Sequence, residues 1–282
     1  MIFGGHVSSS GGLEKSIDRA VEITAECIQI FVSAPQMWRT AKHSDESVSR
    51  FIERRDAARI GPILLHGPYL INLASNDPAL RTRSADAIIS QLEWSDRLGG
   101  MGVVFHVGSS VKDPKADGMT RAVEGLADVL SRSKATSPLV LETTAGGGNT
   151  LGVTFEELGE LIDRLDKSPR LHVCLDTCHI FSAGYPFLLA AELDETLAQF
   201  DRAVGLDRLT CVHLNDSKFP MGSHRDRHHN IGDGTIGLEG FRTVVNHAAM
   251  RNLPGFLEVP GLNDEGPDAE NLRRLRDLVA YV

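Results

Sequence analysis

Cysteine is scarce in this sequence, and long apolar runs are missing. The 282 residues include only four cysteines, Cys27, Cys174, Cys178 and Cys211. Four are too few for a disulfide framework in a chain of this length, and each lies in or beside an apolar run, as buried free thiols do. We therefore expect reduced thiols and an intracellular, cytoplasmic setting.

Two further absences bear on membranes and export. No apolar run reaches the roughly 18 residues that a membrane-spanning helix needs. The start, MIFGGHVSSS, has no basic region followed by an apolar segment, which a secretory leader would show. The sequence thus predicts a soluble, unprocessed protein without membrane contact. Positive charge is also in deficit, since the formal net charge is -9, and this alone argues against a nucleic-acid partner.

Eight short apolar runs recur along the chain, each followed by a polar turn and then by a segment with helical periodicity. They are residues 1–6, 27–32, 62–67, 102–107, 138–143, 172–177, 209–214 and 255–260. Runs of this kind are typical of parallel strands that are covered on both faces. Eight β-strands alternating with helices predict an α/β fold, a single-domain (β/α)8 TIM barrel over residues 1–282 with the active site at the C-terminal ends of the strands.

In six successive runs, two or three apolar residues lead directly into a residue that can bind a metal ion. These residues are His66, His106, Glu142, Asp176, His213 and Glu258. A single buried histidine is more often a hydrogen-bonded core residue. Three carboxylates and three imidazoles together are too costly to bury without compensating charge, and these runs contain no lysine or arginine. We therefore expect bound cations at the mouth of the barrel.

The segment SHRDRHHNIGDGTIG, residues 223–237, gathers further histidines and carboxylates. Asp226 and His228 are two residues apart, so in an extended segment both face one point while Arg227 faces away. A polar surface loop is the alternative interpretation of this motif taken alone. His179, three residues after Asp176, falls on the first turn beyond the sixth strand and completes a set of nine candidate ligands.

Nitrogen and oxygen ligands without a cysteine cluster suit zinc or manganese at sites that keep an open position. Nine ligands are too many for one ion and generous for two, so three ions sharing a bridging carboxylate fit the count. We interpret His43, His172 and His247 as ordinary structural residues. His6, at the mouth end of the first strand, either supports the metal ligands or contacts phosphate, and His224 and His229 remain open.

Four segments resemble the signature segments of the endonuclease IV family, the class II apurinic/apyrimidinic endonucleases. They are ETTAGGG (142–148), CLDTCHIFSAGY (174–185), HLNDSK (213–218) and DRHHNIGDGTIG (226–237), and the similarity extends from GGHVSSSGGL near the N-terminus to Glu258. The resemblance implies a DNA-repair enzyme, a monomeric TIM barrel with three zinc ions. Such an enzyme hydrolyses the phosphodiester 5′ to an abasic site in duplex DNA and leaves a 3′-hydroxyl and a 5′-deoxyribose phosphate; 3′-phosphodiesterase activity is also expected.

The resemblance also assigns the nine ligands to three ions. It implies a first ion held by His66, His106 and Glu142, a second by Glu142, Asp176, His213 and Glu258, and a third by His179, Asp226 and His228. Glu142 bridges two of the ions, and we expect it to orient the attacking water and accept its proton. Mn²⁺ in place of Zn²⁺ at one or more sites is the alternative.

Three divalent ions would add six positive charges at the mouth, so the acidic composition no longer argues against DNA. Basic residues of the predicted loops contact phosphates or are simply solvated: Arg39, Lys42, Lys112, Lys115, Lys218, Arg225 and Arg227.

Tyr69 matches a family position that inserts into DNA at the lesion. In SAPQMW (33–38), however, Ala34 and Gln36 replace the asparagine and arginine of the family. Gln36 lacks the guanidinium plane that stacks on bases, so we expect Tyr69 and Met37 to carry more of the contact.

Two other functions fit parts of the pattern. A xylose isomerase-like sugar isomerase would also surround metal ions with Glu142, Asp176, His213 and Glu258. Such an enzyme typically uses two ions, however, and has no need of His179, Asp226 and His228. A protein that binds damaged DNA without cleaving it could keep the metal ions for shape. Metal stoichiometry distinguishes the first alternative, and turnover distinguishes the second.

Overall fold

The computed structural model describes residues 1–38 and 42–280, and it contains a closed barrel of eight parallel strands in sequential order. These strands are β1 (Ile2–His6), β2 (Cys27–Ile30), β3 (Ile63–His66), β4 (Val103–Phe105), β5 (Leu139–Glu142), β6 (Leu171–Asp176), β7 (Leu209–His213) and β10 (Pro254–Leu257). Two short strands outside the barrel, β8 (Asp216–Ser217) and β9 (His228–His229), pair antiparallel. The predicted barrel fold and its eight strands are confirmed.

Helices surround the barrel. They are α1 (Leu13–Glu22), α2 (Asp45–Ala58), α3 (Pro78–Leu98), α4 (Lys115–Arg132), α5 (Phe155–Asp163), α6 (Thr177–Ala183), α7 (Ala190–Ala203), α8 (Gly237–Asn246) and α9 (Ala269–Leu278). The short α6 interrupts the simple alternation, because two helices follow β6. None of the helices within the described ranges combines the length and the apolar character needed to cross a bilayer.

Local sequence explains where these elements begin and end. In α1 the buried residues Leu13, Ile17 and Ala20 are three or four apart, so one face of the helix packs on the barrel. Helix α3 begins after Asp77, whose carboxylate accepts a hydrogen bond from the N–H of Ala79. It ends at Gly99, which has a φ of 65° and so adopts the left-handed conformation that glycine tolerates.

The core has two parts. A large cluster of aliphatic and aromatic side chains fills the space between strands and helices. A smaller cluster fills the barrel interior and contains Cys27, Cys174 and Cys211 together with Val140 and Phe256. All four cysteines are buried and free, as predicted. Above this smaller cluster, toward the carboxyl ends of the strands, the barrel interior becomes polar.

Candidate metal centre

Six of the nine predicted ligands ring the mouth of the barrel. Each is the last residue of its strand or the residue directly after it: His66 on β3, His106 on β4, Glu142 on β5, Asp176 on β6, His213 on β7 and Glu258 on β10. Because the strands are parallel, their carboxyl ends meet at one mouth. The structure therefore brings these six side chains together.

Glu142 lies at the centre of the ring and is fully buried. Its Oε2 is 3.0 Å from Nε2 of His106 and 3.4 Å from Nε2 of His66. Its Oε1 is 2.8 Å from Nδ1 of His213. One carboxylate thus faces imidazoles from three strands, two on one oxygen and one on the other.

Four of these residues form a compact central group. Oε2 of Glu258 and Oδ2 of Asp176 lie 3.4 and 3.7 Å from Nδ1 of His213. One oxygen or nitrogen from each of Glu142, Asp176, His213 and Glu258 lies within 4.8 Å of the others. Three carboxylates around a single imidazole nitrogen are a donor set for a divalent cation.

His179, Asp226 and His228 form a second group with the same spacing limit of 4.8 Å. Asp176 caps the start of α6, where its Oδ1 accepts a hydrogen bond from the His179 N–H at 2.8 Å, and this places His179 on the first turn. Asp226 lies between two imidazoles. Its Oδ2 is 3.3 Å from Nε2 of His179, and its Oδ1 is 3.3 Å from Nε2 of His228.

The loop that carries Asp226 and His228 is anchored by Asp216. In the antiparallel pairing of β8 and β9, Ser217 lies opposite His228. Asp216 is fully buried, and its carboxylate accepts hydrogen bonds from the N–H groups of Gly232 at 2.9 Å, Gly234 at 3.1 Å and Ile236 at 2.9 Å. The glycine turn after the histidines therefore folds around a carboxylate that the sequence interpretation had not assigned a role.

Backbone carbonyls orient three of the imidazoles. Nδ1 of His66, His179 and His228 lies 2.6, 2.7 and 3.3 Å from the carbonyl oxygens of Gly67, Thr143 and Glu258, so each ring presents Nε2 to the centre. Ligating histidines characteristically use their second nitrogen in this way.

Three buried atoms of the centre make no well-formed hydrogen bond among the described residues: Nε2 of His179, Nε2 of His228 and Oε2 of Glu142. Each of them instead faces an oppositely charged group of the centre at 3.0 to 3.3 Å. Buried nitrogen and oxygen atoms that converge without forming good hydrogen bonds fit the binding of divalent ions.

Opposite charges shift the pKa values at the centre. Burial by itself would lower the pKa of His213, but the carboxylates of Glu258 and Glu142 outweigh it and raise the pKa to about 10. Burial would likewise raise the pKa of Glu142, but the charges of His106 and His213 hold it well below its usual range. Glu142 is therefore ionised at neutral pH, as a metal ligand must be.

A cavity of about 1030 Å³ opens above these residues and is lined by His66, His106, His179, Asp226, His228 and Glu258. Tyr69 and Arg227, two predicted DNA contacts, also line it, and Tyr69 is 67% exposed. The other two, Gln36 and Met37, are exposed on the neighbouring turn. The Tyr69 N–H donates a 3.2 Å hydrogen bond to the carbonyl of Pro35 in this turn.

Of the remaining histidines, His6 lies beside the metal centre, because it lines the cavity and its Nδ1 is 3.2 Å from Oε1 of Glu258.

The contacts of the other five histidines are with residues that are not proposed ligands. His172 at the start of β6 contacts the Pro169 carbonyl, and His247 directly after α8 contacts Asp194. The other three contact the backbone: His43 the Val32 carbonyl, His224 the Ala145 carbonyl, and His229 the Asn230 N–H.

Several predicted phosphate contacts have other partners. Lys115 forms an ion pair with Glu157, and the Arg225 guanidinium lies over the ring of Phe219. Lys42, Lys112 and Lys218 are exposed. Arg39 lies outside the described residues.

Sequence interpretation missed two polar residues that contact the ligands. Nδ2 of Asn215 donates to Oδ2 of Asp176 at 2.7 Å, and its Oδ1 accepts from the Glu258 N–H at 2.7 Å. Gln29 in β2 contacts both His213 and Glu258. The only available signal for Gln29 was an isolated polar residue within the apolar run CIQIFV.

Comparison with known proteins shows the family of this chain. Residues 17–278 match the family model described as "Xylose isomerase-like TIM barrel". The chain is 39% identical to "Probable endonuclease 4" of Chloroflexus aggregans, covering 98% of this chain and 97% of that protein. It is 35% identical to the protein of the same name from Halothermothrix orenii, covering 98% and 99%.

Solved structures extend the comparison. A D-tagatose 3-epimerase-like protein aligns with a TM-score of 0.76 at 20% identity over 99% of this chain and 97% of that one, which shows a shared fold alone. Endonuclease IV from Thermus thermophilus aligns with a TM-score of 0.86 at 33% identity, over 99% of this chain and 98% of that one. With relatives above 30% identity over almost its full length, this chain belongs to the endonuclease IV family of the xylose isomerase-like TIM barrels.

Proposed function

We propose that this protein hydrolyses the phosphodiester 5′ to an abasic site in duplex DNA and depends on three divalent ions, zinc or, at one or more sites, manganese. The observation that carries the proposal is the convergence of nine imidazole and carboxylate side chains at one mouth of the barrel. The names of its relatives, which are endonucleases, support DNA as the substrate.

We assign the nine ligands to three sets. His66 and His106, which face the same oxygen of Glu142, would hold one ion together with that oxygen. The central group would hold a second ion through the other oxygen of Glu142. The third set is His179, Asp226 and His228. All nine ligands come from one chain, so a monomer is sufficient for activity.

Divalent ions bound at these sites would acidify water, neutralise the phosphate oxygens and stabilise the departing 3′ oxygen. Glu142 is the proposed catalytic residue. We expect this buried, ionised carboxylate to orient the attacking water and to accept its proton; because its pKa is held well below the usual range, that transfer depends on bound ions acidifying the water. Neighbouring imidazoles also hold the pKa values of Asp226 and Glu258 low, so these two carboxylates stay charged and keep the imidazoles oriented. Hydrolysis by this route yields a 3′-hydroxyl and a 5′-deoxyribose phosphate and requires no covalent protein intermediate.

The cavity suits a nucleotide that has left the base stack. Its floor carries the metal centre and Tyr69 lines it, whereas Gln36 and Met37 are exposed on the neighbouring turn. An aromatic ring inserted into the duplex occupies the gap of the missing base, and unstacking is least costly at a damaged site. Arg227 at the edge of the cavity is placed to contact a flanking phosphate. The same centre would remove 3′-blocking groups, because their phosphodiesters present the same bond. Such a repair enzyme would act in the cytoplasm, on nucleoid DNA.

The experiment that tests this function is cleavage of an end-labelled duplex with one tetrahydrofuran abasic analogue, with the metal content measured on the same preparation. The analogue cannot undergo β-elimination, so every cut is hydrolytic. We expect a single nick 5′ to the analogue, about three metal ions per chain, and no cleavage of the undamaged duplex. Full metal loading without a nick would overturn the proposal.

Sugar isomerisation is the second candidate, because the four residues of the central group form a self-contained metal site. It leaves the group of His179, Asp226 and His228 unused. Conversion of ketoses by the metal-loaded protein, at a stoichiometry of two ions, would favour isomerisation over the nuclease.

A further inference from the structure

Gln29 connects two of the proposed metal ligands from inside the barrel. It lies within β2 and is fully buried. Its Nε2 donates a hydrogen bond to Oε1 of Glu258 at 2.6 Å, and its Oε1 lies 2.8 Å from Nε2 of His213. A single uncharged amide therefore contacts both a carboxylate and an imidazole of the central group.

The orientation of this amide is determined by its surroundings. Nε2 of Gln29 donates to Oε1 of Glu258 and also lies 2.9 Å from Nδ1 of His6. Rotating the amide by half a turn would place its oxygen against the Glu258 carboxylate, where two acceptors would face each other. The amide oxygen therefore faces His213.

This contact determines which nitrogen of His213 is available for a metal ion. An amide oxygen only accepts hydrogen bonds, so Nε2 of His213 carries the proton and the neutral ring has its lone pair on Nδ1. Nδ1 is also the atom that faces Glu142, Glu258 and Asp176 at 2.8, 3.4 and 3.7 Å. The other proposed histidine ligands turn Nε2 toward carboxylates of the centre.

We propose that Gln29 is a positioning residue that makes His213 bind its metal ion through Nδ1 and holds Glu258 in its binding orientation. This inference rests on the proposed metal-dependent function. Removing a hydrogen-bond partner of a metal ligand typically weakens metal affinity by about 10–100-fold. Gln29 contacts two ligands of the same group, so its loss affects the central ion, while the group of His179, Asp226 and His228 lies outside its hydrogen bonds.

Two substitutions separate the two contacts. Gln29→Met keeps a side chain of similar length but removes both hydrogen bonds. Gln29→Glu keeps an acceptor for His213 but replaces the donor to Glu258 with a second carboxylate. Gln91→Met is the matched control, because Gln91 is a buried glutamine in α3 whose Oε1 has no hydrogen-bond partner among the described residues.

The test measures zinc affinity by competition with a chromophoric chelator. For Gln29→Met we expect one of three ions to bind about 10–100-fold more weakly and the others to bind as in the wild type. Long-range ¹H–¹⁵N spectra of the zinc-loaded protein give a second readout: the Nε2 proton of His213 exchanges slowly in the wild type and rapidly in Gln29→Met. Gln91→Met should match the wild type in both measurements.

The outcomes distinguish this inference from the proposed function. If the wild type binds zinc and cleaves the abasic duplex while both Gln29 variants retain wild-type affinity for every ion, the role of Gln29 is refuted and the function stands. If the wild type binds zinc and does not cleave, the function fails and the affinity comparison still tests Gln29. Should Gln29→Met not fold, weakened binding of one ion in Gln29→Glu supports the inference, and wild-type binding in that variant overturns it.

Discussion

Nδ1 of His213 lies 2.8 Å from Oε1 of Glu142, although β6 separates the two strands that end at these residues. The other oxygen of Glu142 faces His106 at 3.0 Å. This carboxylate therefore contacts imidazoles from strands on either side of β5. It is the one residue that the proposed assignment gives to two ion sites.

Glu142→Gln should abolish cleavage with the fold retained, because glutamine matches the shape of glutamate but lacks its charge. Loss of the proton acceptor alone accounts for about 10²–10⁴-fold in kcat, and weaker metal binding adds to that loss. Turnover of the tetrahydrofuran duplex and circular dichroism measure the two effects. Glu239→Gln, on the exposed surface of α8, is the control and should cleave normally. Wild-type turnover by Glu142→Gln would disprove the role of Glu142.

Removal of the metal ions should make stability sensitive to alkaline pH. Burial by itself lowers the pKa of His213 and His228, but neighbouring carboxylates raise these pKa values to about 10 and about 9. In the unfolded chain both are near ~6.5, so the protonated rings stabilise the fold fully below that pH. This stabilisation is lost as the pH rises through about 9 to 10.

Urea unfolding of the chelated and the zinc-loaded protein checks this expectation. Between about pH 7 and about pH 10 the free energy of unfolding of the chelated protein should fall more steeply, because neutral, metal-bound imidazoles release no proton. Parallel pH profiles for the two forms would contradict the proposed ligation of these histidines.

Six of the nine proposed ligands could be predicted from the sequence because their positions follow from strand geometry. In a parallel barrel the ends of successive strands meet at one mouth, so an apolar run that ends in histidine or carboxylate indicates where its side chain lies. Asp226 and His228 were identifiable from their two-residue spacing in an extended segment.

Gln29, Asn215 and Asp216 could not be found in this way. Each acts through a hydrogen bond to a residue distant in the chain, such as Asn215 to Asp176 or Asp216 to Gly232. A lone glutamine in an apolar strand has the same sequence pattern whether it is an ordinary core residue or a partner of a ligand. Only the folded structure identifies its partner.

Asp216→Asn should weaken the third ion site specifically. An asparagine side chain has one accepting oxygen in place of two, so N–H groups of the loop that carries Asp226 and His228 lose their acceptor, at about 1–3 kcal/mol for each buried donor left unpaired. We expect faster amide exchange over residues 226–237 and loss of about one ion per chain on dialysis against a weak chelator. Asp233→Asn is the control. Asp233 lies in the same loop but is more exposed than Asp216 and pairs with Arg274 of α9, so this variant should retain all its ions. Full metal content in Asp216→Asn would refute the anchoring role.

Tyr69→Ala should weaken binding to the abasic duplex while leaving metal content unchanged. The exposed ring packs edge-on against Phe31, with ring centroids 5.2 Å apart, and lines the cavity. Stacking on a base contributes about 1–3 kcal/mol. We thus expect KM to rise by about one to two orders of magnitude. Tyr69→Phe keeps the ring and should behave as the wild type; an equal loss in both variants would assign the effect to the hydroxyl instead.

Gln36→Arg should increase affinity for DNA. Gln36 is exposed on the turn whose Pro35 carbonyl accepts a hydrogen bond from the Tyr69 N–H. An arginine at position 36 would therefore reach the part of the duplex that Tyr69 contacts. A guanidinium adds stacking and one positive charge, which steepens the salt dependence of log K by about one unit. Fluorescence anisotropy of the abasic duplex, measured at several salt concentrations, checks both effects. Asn252→Arg adds the same charge just before β10, at the opposite end of the barrel, and should leave the salt slope unchanged. If the two variants bind DNA equally, the turn of residues 33–38 makes no contact with the substrate, and the proposed DNA-binding role of Gln36 and Met37 is wrong.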